Sequence, residues 1–228
     1  MDPGLRNQVE AMRMALADAF RFVRDGAEVA HLLDPGYLRN RRTRHEHTPS
    51  APDGGTVYLC AVDQDRMAVS LIQSIFGHFG SGLIAPGTGV ILNNRSACFA
   101  VNGRVEPGKR PFHTTIPGML LRNGTLLGPF GIMGGFIQAQ AHLQFVAAIA
   151  DEGCDPQEAL DRPRFMIDGQ KIYLEAGLWE RATELDGLEV KPTPASDARF
   201  GAGQAILLQG EALVGGSDAR RDGYAAGI

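Results

Sequence analysis

The group best placed for covalent chemistry in this 228-residue chain is a threonine that directly follows two glycines, Gly54-Gly55-Thr56. An internal threonine hydroxyl is a poor nucleophile. If the Gly55-Thr56 peptide bond were cut, the new α-amine of Thr56 could serve as the base for its own hydroxyl. The paired glycines would let the chain adopt a strained geometry at the scissile bond. Spacing alone favours a plainer reading, a threonine that merely opens a strand.

Other reactive groups make weaker cases. In His45-Glu46-His47 the two histidines do not face one way on a helix and no third ligand is evident, so a solvated basic linker is favoured over a metal site. Cys60, Cys98 and Cys154 are far apart and show no metal-ligand spacing. Lone cysteines of this kind are usually buried packing residues. Asn94-Arg95-Ser96 and Asn123-Gly124-Thr125 fit the glycosylation pattern, but the second is better explained as a turn. No Gly-x-Ser-x-Gly elbow, Walker phosphate loop or dinucleotide fingerprint occurs, and no metal or organic cofactor is implied.

The elements that must position Thr56 follow from periodicity. Val9, Met12, Leu16, Phe20 and Val23 recur at steps of three and four, which predicts an amphipathic helix over residues 7–26. Residues 34–55 are rich in arginine, histidine, proline and glycine and read as an exposed linker. Strands are expected over 56–62 and 68–72 with a turn at Asp63-Arg66, and over 118–121 and 125–127 around Asn123-Gly124. Gly134-Gly135 opens a mostly buried helix reaching Ile149, and a shorter helix covers 156–160. Further strands are expected at 172–174, 205–208 and 212–214, with a helix near Trp179 to Leu185. Mixed strands with helices packed on a sheet make the class α+β or layered α/β.

Composition narrows the partners. With 22 basic and 26 acidic residues the net charge is -4, which gives no electrostatic reason to expect nucleic acid or anionic membrane. A 44% hydrophobic share excludes disorder and fibre, and 29 glycines with 13 prolines suit a turn-rich sheet protein. No apolar run is long enough to span a bilayer. The first twenty or so residues lack the ordered regions of a signal peptide, so a reducing cytoplasm is the expected compartment.

Several ordered motifs resemble the gamma-glutamyltranspeptidases, N-terminal-nucleophile hydrolases. They are Thr56-Val57-Tyr58-Leu59-Cys60-Ala61-Val62-Asp63, Phe79-Gly80-Ser81-Gly82, Gly89-Val90-Ile91-Leu92-Asn93-Asn94, Pro107-Gly108-Lys109-Arg110-Pro111, Gly131-Ile132-Met133-Gly134-Gly135, Ala159-Leu160-Asp161-Arg162-Pro163-Arg164-Phe165 and the run from Ser217 to Gly227. The resemblance implies a precursor that cleaves itself before the threonine, and a large and a small subunit that together build an αββα sandwich. Residues 1–33 would be a remnant of the large subunit, 34–55 the linker ending at the cleavage site, and 56–228 the small-subunit-like catalytic region. Thr56 would then be the nucleophile on a γ-glutamyl or related amide, of which glutathione is the family's usual example, with water or an amine as acceptor. Gly134 and Gly135 would match the oxyanion hole, and Ser74 the hydroxyl beside the nucleophile's amine.

Departures from the family pattern fall in the substrate pocket. Where relatives carry an Asn, a Glu or Gln followed by an Asp, and a Ser-Ser pair, this chain has Phe76, Arg95 with Cys98, and His113 with Thr114. A phenylalanine and a neutral thiol cannot pair with an ammonium group, so the pocket is altered, as in branches closer to acylases of other amides. Most of the large subunit has no counterpart, including the arginine that grips the substrate carboxylate. The sandwich is therefore expected to be incomplete, with a sheet face or edge left open to a partner chain or to self-association. Two other readings remain, an inactive truncated homologue and a subunit that works only with a separate large-subunit-like chain.

Overall fold

The computed structural model describes residues 4–41, 55–101, 105–112, 114–195 and 197–227. Helix α1 (Leu5–Phe22) buries Leu5, Val9, Met12 and Leu16 on one face, as the periodicity predicts, and ends before Gly26. Residues 34–40 depart from the expected linker. Asp34 accepts the Tyr37 N–H and Pro35 sits in the first turn, which together start a short helix, α2 (Pro35–Asn40). Arg41, just beyond it, returns to α1 in a 2.9 Å ion pair with Asp18. The rest of the linker, including His45, Glu46 and His47, lies outside the described residues.

Strands β1 (Gly55–Val62) and β2 (Ala68–Phe76) pair antiparallel, and β2 runs past the expected end at Ile72. After a 3-10 turn over Arg95–Val101 come β3 (Gly118–Arg122) and β4 (Thr125–Met133). Asn123 and Gly124 between them both have positive φ, 53° and 80°, the conformation a two-residue hairpin turn demands. Next are α3 (Ile137–Ala150) and α4 (Pro156–Asp161), the second opened by a reciprocal capping box between Asp155 and Glu158. The chain finishes with β5 (Phe165–Asp168), β6 (Lys171–Glu175), β7 (Glu189–Thr193), β8 (Ala202–Gln209) and β9 (Ala212–Ser217). The helix expected near Trp179 is a 3-10 helix over Ala176–Leu185. Among the described residues no helix is long and apolar enough to cross a membrane.

Among the described residues the strands form three sheets, in the orders β1-β2, β3-β4-β8-β9 and β5-β6-β7. One face of the four-stranded sheet presents Phe130, Ile132, Ala205 and Leu207 to Ile137, Ala141 and Phe145 of α3 and to Leu160 of α4. The opposite face receives the β1-β2 hairpin. There Gly131 lies so close under the Tyr58 ring that a Cβ would come within 2.3 Å of it, so only glycine lets the two sheets meet. The order is helix, sheet, sheet, the first three layers of an αββα sandwich, and nothing described covers the outer face of the hairpin. On the far side, α1 closes a second core with Phe165, Ile172, Leu174, Leu178 and Leu185.

Helix α3 is buried almost all round yet carries polar residues, each with a task. Gln140 accepts the Ile167 N–H at 2.7 Å and donates to the Ile167 carbonyl, and Gln144 does the same with Phe165. One turn apart, the two amides pair with alternate residues of β5 as a neighbouring strand would. His142 accepts the Ile132 N–H at 3.0 Å. Burial, reinforced by the charge of Arg164, lowers its pKa to about 4, so the ring is neutral.

Candidate active site

Antiparallel register places Thr56 directly opposite Ser74, and both side chains point inward from the hairpin. The Thr56 hydroxyl donates to Ser74 Oγ at 3.1 Å, and the Ser74 hydroxyl donates to the Gly55 carbonyl at 2.8 Å. The Thr56 hydroxyl, the Ser74 hydroxyl and the Gly55 carbonyl thus form one hydrogen-bonded chain. The Phe76 N–H donates to the same Ser74 oxygen at 2.9 Å. Phe76 holds a left-handed backbone, φ 72°, unusual for a bulky residue and a concentration of strain at the strand's end. Thr56 is buried, which keeps its hydroxyl out of bulk water.

Gly134 and Gly135 form the turn between β4 and α3, with φ of 128° and 72°. At Gly134 a Cβ would stand 2.8 Å from the Ile137 side chain and 2.9 Å from Gly201, so the turn requires glycine on both conformational and steric grounds. Behind it, Phe136 stacks on Phe112, and Phe20 of α1 touches both rings at centroid separations of 5.3 and 5.9 Å. The N-terminal helix therefore buttresses the glycine turn.

The positions that depart from the family pattern come together. Arg95 donates to Thr114 Oγ1 at 2.6 Å, and its guanidinium lies 4.7 Å from the centre of the Phe76 ring. Burial pushes the Cys98 thiol up, with Arg95 hydrogen-bonded to it and pulling the other way. The Phe76 N–H bonds Ser74, so this cluster adjoins the Thr56–Ser74 pair. His113 lies outside the described residues. Among the described residues no group of histidine, cysteine and acidic side chains could hold a metal ion.

Sequence reading missed the residues that hold the C-terminal run in place. Arg164 pairs with Asp218 at 2.6 Å, and Arg220 bridges Asp218 and Glu175; Arg164, Asp218 and Glu175 are buried and Arg220 partly so. The alternation of charges in Asp161-Arg162-Pro163-Arg164 and in Asp218-Ala219-Arg220-Arg221 was visible, but only the fold shows which arginines face inward.

The stacked sheets, the covering helices and the strand-opening threonine define the class as N-terminal-nucleophile hydrolase fold. The gamma-glutamyltranspeptidase sequence profile matches residues 2–228. A glutathione hydrolase-like YwrD proenzyme of Bacillus subtilis is 30% identical across 96% of this chain and 46% of its own length. An oxamate amidohydrolase proenzyme of Klebsiella pneumoniae is likewise 30% identical across 96% and 46%. The crystal structure of a cephalosporin acylase from Bacillus halodurans superimposes with a TM-score of 0.85 at 35% identity, over 96% of this chain and 44% of that one. The chain belongs to the gamma-glutamyltranspeptidase family. It spans slightly under half the length of the curated relatives it matches.

Proposed function

We propose that this chain is an amide hydrolase or acyltransferase acting through Thr56 after cleavage of its own Gly55-Thr56 bond. The carrying observation is the relay from Thr56 through Ser74 to the Gly55 carbonyl. As the Thr56 oxygen attacks the Gly55 carbonyl carbon, its proton passes to Ser74 and the Ser74 proton passes to the carbonyl oxygen, giving a neutral tetrahedral adduct. As the adduct collapses, the proton on its new hydroxyl passes to the Thr56 nitrogen, the C–N bond breaks and the carbonyl re-forms, leaving an ester to the Thr56 oxygen and a free α-amine. Water then hydrolyses the ester and releases the Gly55 carboxylate. The exposed amine becomes the base for Thr56 on an incoming amide, the acyl group moves to Thr56, the amine leaves, and water or an acceptor amine resolves the acyl-enzyme. The Gly134 and Gly135 N–H groups would stabilise the oxyanion formed when Thr56 attacks the substrate amide.

The substrate is a γ-glutamyl or related acyl amide, and the missing half of the sandwich would come from a separate large-subunit-like chain. Incubation of the purified chain should yield a fragment with Thr56 at its N-terminus. Thr56→Ala should abolish that fragment, and Ser74→Ala should slow its appearance by about 100-fold. An intact 24.5 kDa mass throughout, with or without a co-expressed large-subunit-like chain, would mark the protein as an inactive homologue.

A further inference from the structure

On the helical side of the four-stranded sheet, across it from the hairpin that carries Thr56, a cleft of about 280 Å³ opens among α1, α3, the end of α4 and the 3-10 helix over Ala176–Leu185. Neither Thr56 nor Ser74 lines it. Its floor is apolar, made by the buried Leu5, Phe145, Ala159 and Leu178. Among the described residues its charged lining is Arg162, Arg164 and Arg181 against one carboxylate, Glu152.

The walls are fixed before anything binds. Arg164 is held by Asp218 and by the Phe200 and Leu160 carbonyls, and Gln144 by the Phe165 backbone. A Cβ on Gly177 would stand 2.7 Å from the Pro163 ring, so the 3-10 helix seats against residues 162–164 only because that position is glycine. A ligand meeting such walls has little to order. Two groups in the lining keep hydrogen-bonding capacity for it. The exposed Arg162 donates through Nη1 to Glu152 at 2.6 Å, with the Cys154 thiol also beside it, and a guanidinium has five N–H groups. The half-buried Gln8 amide makes no hydrogen bond among the described residues. Arg181, paired with Glu184 through Nε and Nη2, adds a second cation from the 3-10 helix. A guanidinium above an apolar floor suits a carboxylate that carries a compact apolar body, the fork taking the oxygens and the floor taking the body. A bare anion would leave the floor wet, and an ammonium group would meet like charge.

We propose that this cleft is a second ligand site, separate from Thr56, for a small monocarboxylate with an apolar body, with Arg162 as the carboxylate anchor and Arg181 and Gln8 in support. Benzoate, benzamide and acetate test it, since they carry the charge with the body, the body alone and the charge alone. Calorimetric titration should show saturable benzoate binding with a dissociation constant at or below about 1 mM. Benzamide and acetate should each bind about tenfold more weakly or worse. Amide resonances of Leu5, Gln8 and Leu178 should move with benzoate, and those of Thr56 and Ser74 should not.

Arg162→Gln should weaken benzoate about tenfold, and Arg162→Lys, which keeps the charge without the fork, by less. Glu152→Gln removes the carboxylate that competes for Arg162 and should tighten benzoate about threefold, a gain that damage to the fold cannot imitate. Benzamide binding as tightly as benzoate, no saturation by about 10 mM, resonance changes centred on Thr56 and Ser74, or affinity untouched by both Arg162→Gln and Glu152→Gln would overturn the proposal. Thr56→Ala should leave benzoate binding unchanged. Failure of self-cleavage would therefore leave this site standing, and failure of benzoate to bind would leave the Thr56 reading standing.

Discussion

The two sheets that meet at Tyr58 and Gly131 are built on different terms. The β3-β4-β8-β9 sheet is covered on one face by α3 and α4 and on the other by the hairpin, and its core residues Ile132, Phe145 and Phe200 are 0–2% exposed. Among the described residues the β1-β2 hairpin is covered on one face only, and its outward residues Val57, Leu59, Val69 and Leu71 remain 45–56% exposed. Yet the hairpin carries Thr56 and Ser74. The well-covered layer thus carries most of the buried core, while the layer that holds the proposed nucleophile leaves its outer face uncovered among the described residues.

The complete half should respond sharply to damage. Arg164, Asp218, Glu175 and Arg220 form a buried network that locks the C-terminal run onto β8 and α4, with the Gly203 N–H and the Leu160 carbonyl also engaged. Burial weakens Arg164's hold on its proton, and the Asp218 carboxylate opposes that. Arg164→Met leaves a fully buried carboxylate short of one of its two cations, so urea unfolding should show a loss of about 3–5 kcal/mol. A loss below about 1 kcal/mol would mean the two halves are less different than their burial indicates.

A smaller effect in the same half depends on pH. His142 titrates near 4 in the fold, against 6.5 when unfolded, first because of burial and second because of Arg164. Between those values the unfolded chain binds more protons, so stability falls as pH drops through the window and levels off below it. The full shift corresponds to about 3 kcal/mol. His142→Gln, which can still accept the Ile132 N–H, should flatten the fall between pH 6.5 and 4 in urea titrations. An unchanged slope would place the acid sensitivity elsewhere.

How much of this was legible in the sequence depended on whether the signal was local. Helix α1, the Asn123-Gly124 hairpin and the Gly134-Gly135 turn are set by periodicity or by positive φ, and all were readable. Strands β5 and β7 were not. Phe165-Met166-Ile167 is too short to show alternation, and β7 contains Pro192, which a parallel edge strand tolerates and a sequence pattern penalises. The glutamines and histidine of α3 read as a diluted apolar helix because their partners on β4 and β5 are distant in sequence. The glycines before Thr56 were only a weak signal, and Thr56 and Ser74 were set side by side by the family resemblance; the hydrogen bond between them follows from the register. The departures at Phe76, Arg95, Cys98 and Thr114 were visible singly, whereas their meeting at one guanidinium required the fold.

The mildest substitution tests the comparison most directly. Leu71 points away from the covered sheet and is 45% exposed, so Leu71→Lys removes little buried area in the isolated chain. Its urea midpoint should move by no more than about 0.5 kcal/mol in stability. Apolar residues on both strands of an open hairpin form a patch that favours association, so the same change should lower the self-associated fraction seen by light scattering. It should also weaken capture of a large-subunit-like chain, because a lysine would then have to be buried against that partner's strands. A large loss of stability in the monomer would show that the outer face is already covered, and the division between a finished sheet and an unfinished one would not hold.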